Sequence, residues 1–165
     1  MEIRDSDIAV DPGRVLATEM WADMAIRYAD DPTAPEPKGD TDDLHPEQLA
    51  PPTGRFIIVY DAGEPIACGA IRRHDDETAE IKRMWVRPTA RGRGVARLIL
   101  DELESSAVRI GYRATVLETG VRQPEALALY ESHGYTPIPN YGFYKESPLS
   151  RCYRKRLDEG AELGR

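Results

Sequence analysis

The sequence predicts an α/β (α+β) fold, a mixed and mostly antiparallel sheet with helices on both faces, and three observations lead there. Three apolar or β-branched runs, Phe56–Tyr60, Pro65–Arg72 and Glu80–Val86, are separated by the short turns Asp61-Ala-Gly-Glu and His74-Asp-Asp-Glu. Turns that short join antiparallel neighbours. A helix-length segment, Gly92–Ile110, separates the third run from a fourth, Ala114–Glu118, and a strand–helix–strand passage makes those two strands parallel. The 165 residues suit one domain with a real core.

Each element has a local reason. Pro12–Ala29 reads as a helix, with Asp11 as N-cap, Pro12 at the first helical position and Val15, Leu16, Met20, Met24 and Ile26 as its apolar stripe. The Pro- and Asp-rich stretch 30–43 is too polar to pack and is expected to be a loop walling a substrate cleft. A helical turn is expected at His45–Leu49. In the helix from about Gly92, residues Val95, Ile99, Leu103, Ala107 and Ile110 share one face, and Gly111 ends it. A second helix, Pro124–His133, closes at Gly134, and a last strand follows at Cys152–Leu157. In the third strand, alternation places Glu80, Lys82, Met84 and Val86 on one face. Residues 1–157 are expected to form a single domain and 158–165 a frayed tail.

Composition narrows the function. Charged residues make up 31% of the chain and mean hydropathy is −0.53, which describes a globular protein in water. No apolar run approaches the roughly 20 residues of a membrane span, and the acidic start MEIRDSDIAVDPGR lacks a signal-peptide pattern. Cys68 and Cys152 lie far apart in apolar strands, as packing residues, with neither a disulfide framework nor a metal site implied. A reduced, cytoplasmic location is the expectation. Residues 1–53 carry a charge balance of −9 and the remainder +2. Such an acidic chain argues against nucleic-acid partners, and no membrane partner is expected. The split suits a cationic substrate beside an anionic cofactor, although an acidic surface also serves solubility alone.

The most informative stretch is "RMWVRPTARGRGVARLIL", Arg83–Leu100. Gly92 and Gly94 stand where a helix should begin, and glycine weakens a helix by about 1 kcal/mol relative to alanine. A strand, a loop carrying Arg91, Arg93 and Arg97, and a helix N-terminus together make an anion site, because the first-turn amides have no internal acceptors. A phosphate or pyrophosphate is the expected guest; the plainer alternative is a glycine turn with solvated arginines. GRGVAR lacks the Gly-Lys-Ser/Thr of a P-loop and the third glycine of a Rossmann fingerprint.

Arg91-Gly-Arg-Gly-Val-Ala resembles the Gln/Arg-x-x-Gly-x-Gly/Ala signature of the GNAT superfamily of N-acetyltransferases, and "LETGVRQPEALALYESHGY" resembles its downstream strand and helix. The resemblance runs from about Arg55 to Leu157 and extends to a bacterial branch of small GNAT proteins through "AEIKRMWVRP" and "YGFYKESPLSRCYRK". It implies a parallel strand pair splayed at the sheet centre and acetyl-CoA as co-substrate, without a metal. Met84, Trp85 and Val86 would pair with the pantetheine arm as an added strand. Arg91, Gly92, Arg93, Gly94, Val95, Ala96 and Arg97 would surround the pyrophosphate. Gln123 stands where the family often has a cofactor-touching Asn.

Acyl transfer from a thioester needs a neutral amine, a polarised carbonyl and a protonated or stabilised leaving sulfur. Tyr130 matches the family's tyrosine acid, against the alternative of a core tyrosine. An amide near Val86 would polarise the carbonyl. Glu80 and Glu118 are the candidate bases, with salt-bridge roles as the alternative. Tyr141 and Tyr144, with Phe143, are candidates for an aromatic acceptor wall or for edge packing. The expected activity is transfer to a small primary amine; a protein lysine or N-terminal amine, and a non-catalytic CoA-binding module, are the other readings. GNAT relatives are often homodimers.

Overall fold

The computed structural model describes residues 1–32 and 44–157. Among them a seven-stranded sheet runs in the order β1-β2-β3-β4-β5-β7-β6. The strands are β1 (Glu2–Asp5), β2 (Arg55–Asp61), β3 (Glu64–Arg73), β4 (Thr78–Val86), β5 (Ala114–Gly120), β6 (Thr136–Ile138) and β7 (Ser150–Arg156). The helices are α1 (Gly13–Arg27), α2 (Val95–Ile110) and α3 (Pro124–Ser132), with short 3-10 turns at Pro46–Leu49 and Pro88–Ala90. All neighbouring strands are antiparallel except β4 and β5. Most of the 30–43 loop and the tail from 158 lie outside the described residues. No described helix is long and apolar enough to cross a membrane.

The sheet separates two cores, and period-2 alternation sorts the side chains between them. From β2 and β3, Ile57, Val59, Ala67 and Ile71 join Val95, Ile99, Leu100 and Leu103 of α2, and α3 adds Tyr130. Phe56, Ile58, Cys68 and Ala70 face the other way, onto Leu16 and Met20 of α1 and Leu49 of the 3-10 turn. Each fully buried Val, Leu, Ile or Phe among them contributes on the order of 1.5–3 kcal/mol. A Cβ on Gly69 would come within 2.5 Å of Ile99 Cγ2, so the missing side chain is what lets α2 lie close to the sheet.

Several boundaries differ from the sequence reading. Pro12 itself occupies the N-cap of α1, and Asp11 makes no cap but pairs with Arg14. The buried face of α1 is Gly13, Leu16 and Met20, whereas Val15 is exposed and Ile26 is 77% exposed. The edge strands β1 and β6 carry little apolar signal: EIRD is mostly polar, and TPI is three residues with a proline.

Candidate active site

β4 and β5 share a ladder only from Thr78–Ala114 to Ile81–Leu117. Beyond it β4 continues to Val86 on its pairing with β3, and β5 to Gly120 on its pairing with β7. The two strands therefore part at the sheet centre, and a cavity of about 180 Å³ opens there. Lys82, Arg83 and Met84 line it from one strand, and Glu118, Thr119 and Gly120 from the other. Met20, Trp21 and Met24 of α1 line it together with the C-cap Tyr28, Tyr130 of α3 and the N-cap Gln123 approach from another side, and Tyr144 and Ser150 complete the lining.

A bulge shapes this opening. Lys82 pairs with Ala70 and Trp85 with Cys68, so Arg83 and Met84 oppose the single Gly69. Arg83 takes a left-handed φ of 56°. The extra residue inverts the alternation, which corrects the single face read from the sequence. Ala79 and Ile81 face the α2 core before the bulge, and Val86 does so after it with Met84 packed alongside. Trp85 joins Phe56 and Cys68 in the α1 core. Glu80 and Lys82 thus lie on the opposite face from Met84 and Val86.

Past β4 the chain enters the glycine-rich turn. Gly92 and Gly94 have φ of 72° and 78°, and a Cβ on either would point into open space. Gly94 serves as a left-handed N-cap without side-chain capping, and the first bond of α2 runs from Leu98 N–H to Gly94 O at 3.0 Å. Among the described residues, the amides of Arg93, Gly94, Val95 and Ala96 have no hydrogen-bond acceptor. An anionic group fits this cradle: bare backbone, unspent donors and the positive end of a helix dipole. The arginines divide their roles. Arg91 donates to Val86 O (3.0 Å) and to Asp23 Oδ2 (2.6 Å), which fastens the loop to β4 and α1. Arg93 pairs with Asp61 at 2.6 Å, and Arg97 is exposed.

The candidate acid and bases separate clearly. Tyr130 is buried, its hydroxyl 3.8 Å from Met84 Sδ; burial, reinforced by the Glu118 charge, pushes its pKa well above the ordinary phenol value. The phenol therefore stays protonated at neutral pH. Glu118 accepts from Ser150 Oγ at 2.8 Å and lines the cavity. Glu80 is only 4% exposed and is held by Arg72 Nε at 2.7 Å, with Lys82 Nζ at 3.7 Å. The Tyr141 hydroxyl also donates to Glu80, at 3.2 Å, and burial with that carboxylate raises the pKa of Tyr141. The structure thus brings Tyr130, Glu118, Gln123, Met84 and Tyr144 to one cavity, and puts Glu80 and Tyr141 in a hydrogen-bonded network beside it. Burial also drives the Cys68 thiol up to about 12, the state of a packing residue.

Sequence reasoning missed the α1 wall and the bulge. Met20 and Met24 read as ordinary stripe residues, and nothing local marked Trp21, Tyr28 or Arg83. Tyr28 lies over Gly120, where a Cβ would stand 1.7 Å from its hydroxyl. That hydroxyl is buried without a hydrogen-bond partner among the described residues.

Known proteins place this geometry. The acetyltransferase (GNAT) family profile matches residues 21–135. The chain belongs to that family. An IAA acetyltransferase of Azospirillum brasilense is 38% identical over 112 residues, covering 67% of this chain and 73% of the relative. The crystal structure of an acyl-CoA N-acyltransferase from Klebsiella pneumoniae superposes with a TM-score of 0.76 at 27% identity, over 94% of this chain and 97% of that one. A GNAT acetyltransferase from Elizabethkingia anophelis, solved with acetyl-CoA bound, shares the fold at a TM-score of 0.67 and 18% identity, over 94% and 97% of the two chains. This GNAT protein is accordingly an N-acetyltransferase, with the mixed sheet and splayed parallel pair of its family.

Proposed function

We propose that this GNAT enzyme transfers the acetyl group of acetyl-CoA to the primary amine of a small molecule, with Tyr130 as general acid and Glu118 as general base. One observation carries the reading: a protonated phenol and a carboxylate face the same small cavity where β4 and β5 separate. Acetyl-CoA supplies the thioester carbonyl that the amine attacks. The amides of residues 93–96 hold its diphosphate, and Gln123 and the free edge of β4 at Met84–Val86 position its arm. Glu118 takes one proton from the incoming ammonium, the neutral amine nitrogen bonds to the carbonyl carbon, and the C–S bond breaks. The second proton leaves the nitrogen as the amide forms, balancing the one that Tyr130 supplies to the leaving sulfur. Glu80, neutralised by Arg72 and buried, supports the wall instead.

A thiol-release assay across amines, amino acids and aminoglycosides tests the proposal. Acceptor-dependent CoA release is expected, and Tyr130→Phe should lower kcat by about 100-fold or more while leaving acetyl-CoA affinity nearly unchanged. Acetyl-CoA binding without CoA release from any acceptor would make the protein a binding module.

A further inference from the structure

We propose that Lys82 and Arg83 form a carboxylate subsite in the acceptor cavity, so that the amine acetylated here belongs to an amino acid with an apolar or aromatic side chain. The inference rests on the acetyltransferase reading above and deepens it.

Consecutive strand residues normally point to opposite faces. Here both Lys82 and Arg83 line the cavity, because the left-handed φ at Arg83 and the bulge against Gly69 break the alternation. A non-glycine residue in that conformation is strained, and such strain concentrates where a site needs it. Its effect is to put two cations into one wall. The Arg83 guanidinium lies 4.9 Å over the Trp21 ring, a stacking that fixes the planar fork suited to a carboxylate. Lys82 is largely buried, its Nζ 3.7 Å from Glu80; Glu80 is shared with Arg72 at 2.7 Å, so an acceptor carboxylate would join this buried charge network beside Arg83.

The opposite arm of the opening carries the opposite sign. Ile81 pairs with Leu117 in the last rung of the β4–β5 ladder, so Lys82 and Glu118 are the next residues on each side of the fork. An ammonium directed to Glu118 and a carboxylate directed to Lys82 and Arg83 match the zwitterion of an amino acid. The rest of the acceptor meets Met20 and Met24, whose thioethers adapt to apolar and aromatic shapes.

The test compares phenylalanine and methionine with their decarboxylated amines and their amides as acceptors for the wild-type enzyme, Arg83→Met, Arg83→Lys and Lys82→Met. The amino acids should exceed the matched amines by about tenfold or more in kcat/KM. Arg83→Met should raise KM for the amino acids by about tenfold, and Arg83→Lys should recover part of it. KM for acetyl-CoA should stay near the wild-type value in every folded variant. Lys82→Met gives an independent answer if Arg83→Met fails to fold. Equal use of amines and amino acids, or variants that slow both alike, would overturn the subsite and leave the acetyltransferase reading standing. Absence of transfer to every acceptor would overturn both.

Discussion

Glu80 and Glu118 show how burial decides between two chemically identical residues. Both stand near the fork of β4 and β5, and the sequence, which sets Glu80 on the cofactor-binding strand, puts it slightly ahead of Glu118. Glu80 is enclosed by Arg72, Lys82 and the Tyr141 hydroxyl, so its charge is already committed to the fold. Glu118 lines the cavity itself and accepts a hydrogen bond from Ser150. Glu118→Gln should therefore remove the acidic limb of the kcat/KM–pH profile and lower the plateau by about 10²-fold, whereas Glu80→Gln should keep that limb. Glu80→Gln should instead lower stability by about 3 kcal/mol, because it leaves Arg72 buried without its anion. A profile unchanged in Glu118→Gln would return the base role to Glu80 or to water.

The glycine turn and the helix it opens form the cradle as a unit. Gly94 sits at φ 78° with open space where a Cβ would go, so two costs fall on any side chain placed there. The left-handed backbone is strained for an L-residue, and relief of that strain would shift the first-turn amides that follow it. Gly94→Val should weaken acetyl-CoA binding by about tenfold or more in calorimetric titration, with a smaller loss of thermal stability. Equal affinity for both proteins would reject the cradle. The same turn was plain in the sequence because its chemistry is local: two glycines and a helix start need no tertiary contact to be understood. The role of Arg91 was not, since its partners Val86 and Asp23 are brought to it only by the fold.

Across the whole molecule, Asp23 fastens the α1 layer to the sheet. It accepts from Trp85 Nε1 at 3.0 Å and from Arg91 at 2.6 Å, and pairs with Arg27 at 3.5 Å. Burial alone would raise its pKa, but these donors and charges outweigh burial and hold it below the ordinary carboxylate value. A carboxylate depressed in the folded state stabilises the protein fully above its unfolded pKa of about 3.9. That contribution is lost as pH falls through the lower folded value. Asp23→Asn should accordingly cost about 1–3 kcal/mol in urea unfolding near neutral pH, and the gap to wild type should shrink below about pH 4. A pH-independent gap would assign the loss to shape alone.

The sequence by itself determined the meander, the strand–helix–strand crossover and the glycine-rich start of α2, because periodicity, turn residues and glycine placement act over a few neighbouring positions, and its resemblance at Arg91–Ala96 and Leu117–Tyr135 pointed to the family. The tertiary structure decided where β4 and β5 part, which carboxylate faces the opening and which side of the sheet Arg83 joins. Those outcomes depend on one extra residue in β4 against Gly69 and on α1 crossing above it. Contacts between positions some sixty residues apart, such as Asp23 with Trp85 and Arg91, leave no periodic trace in the chain.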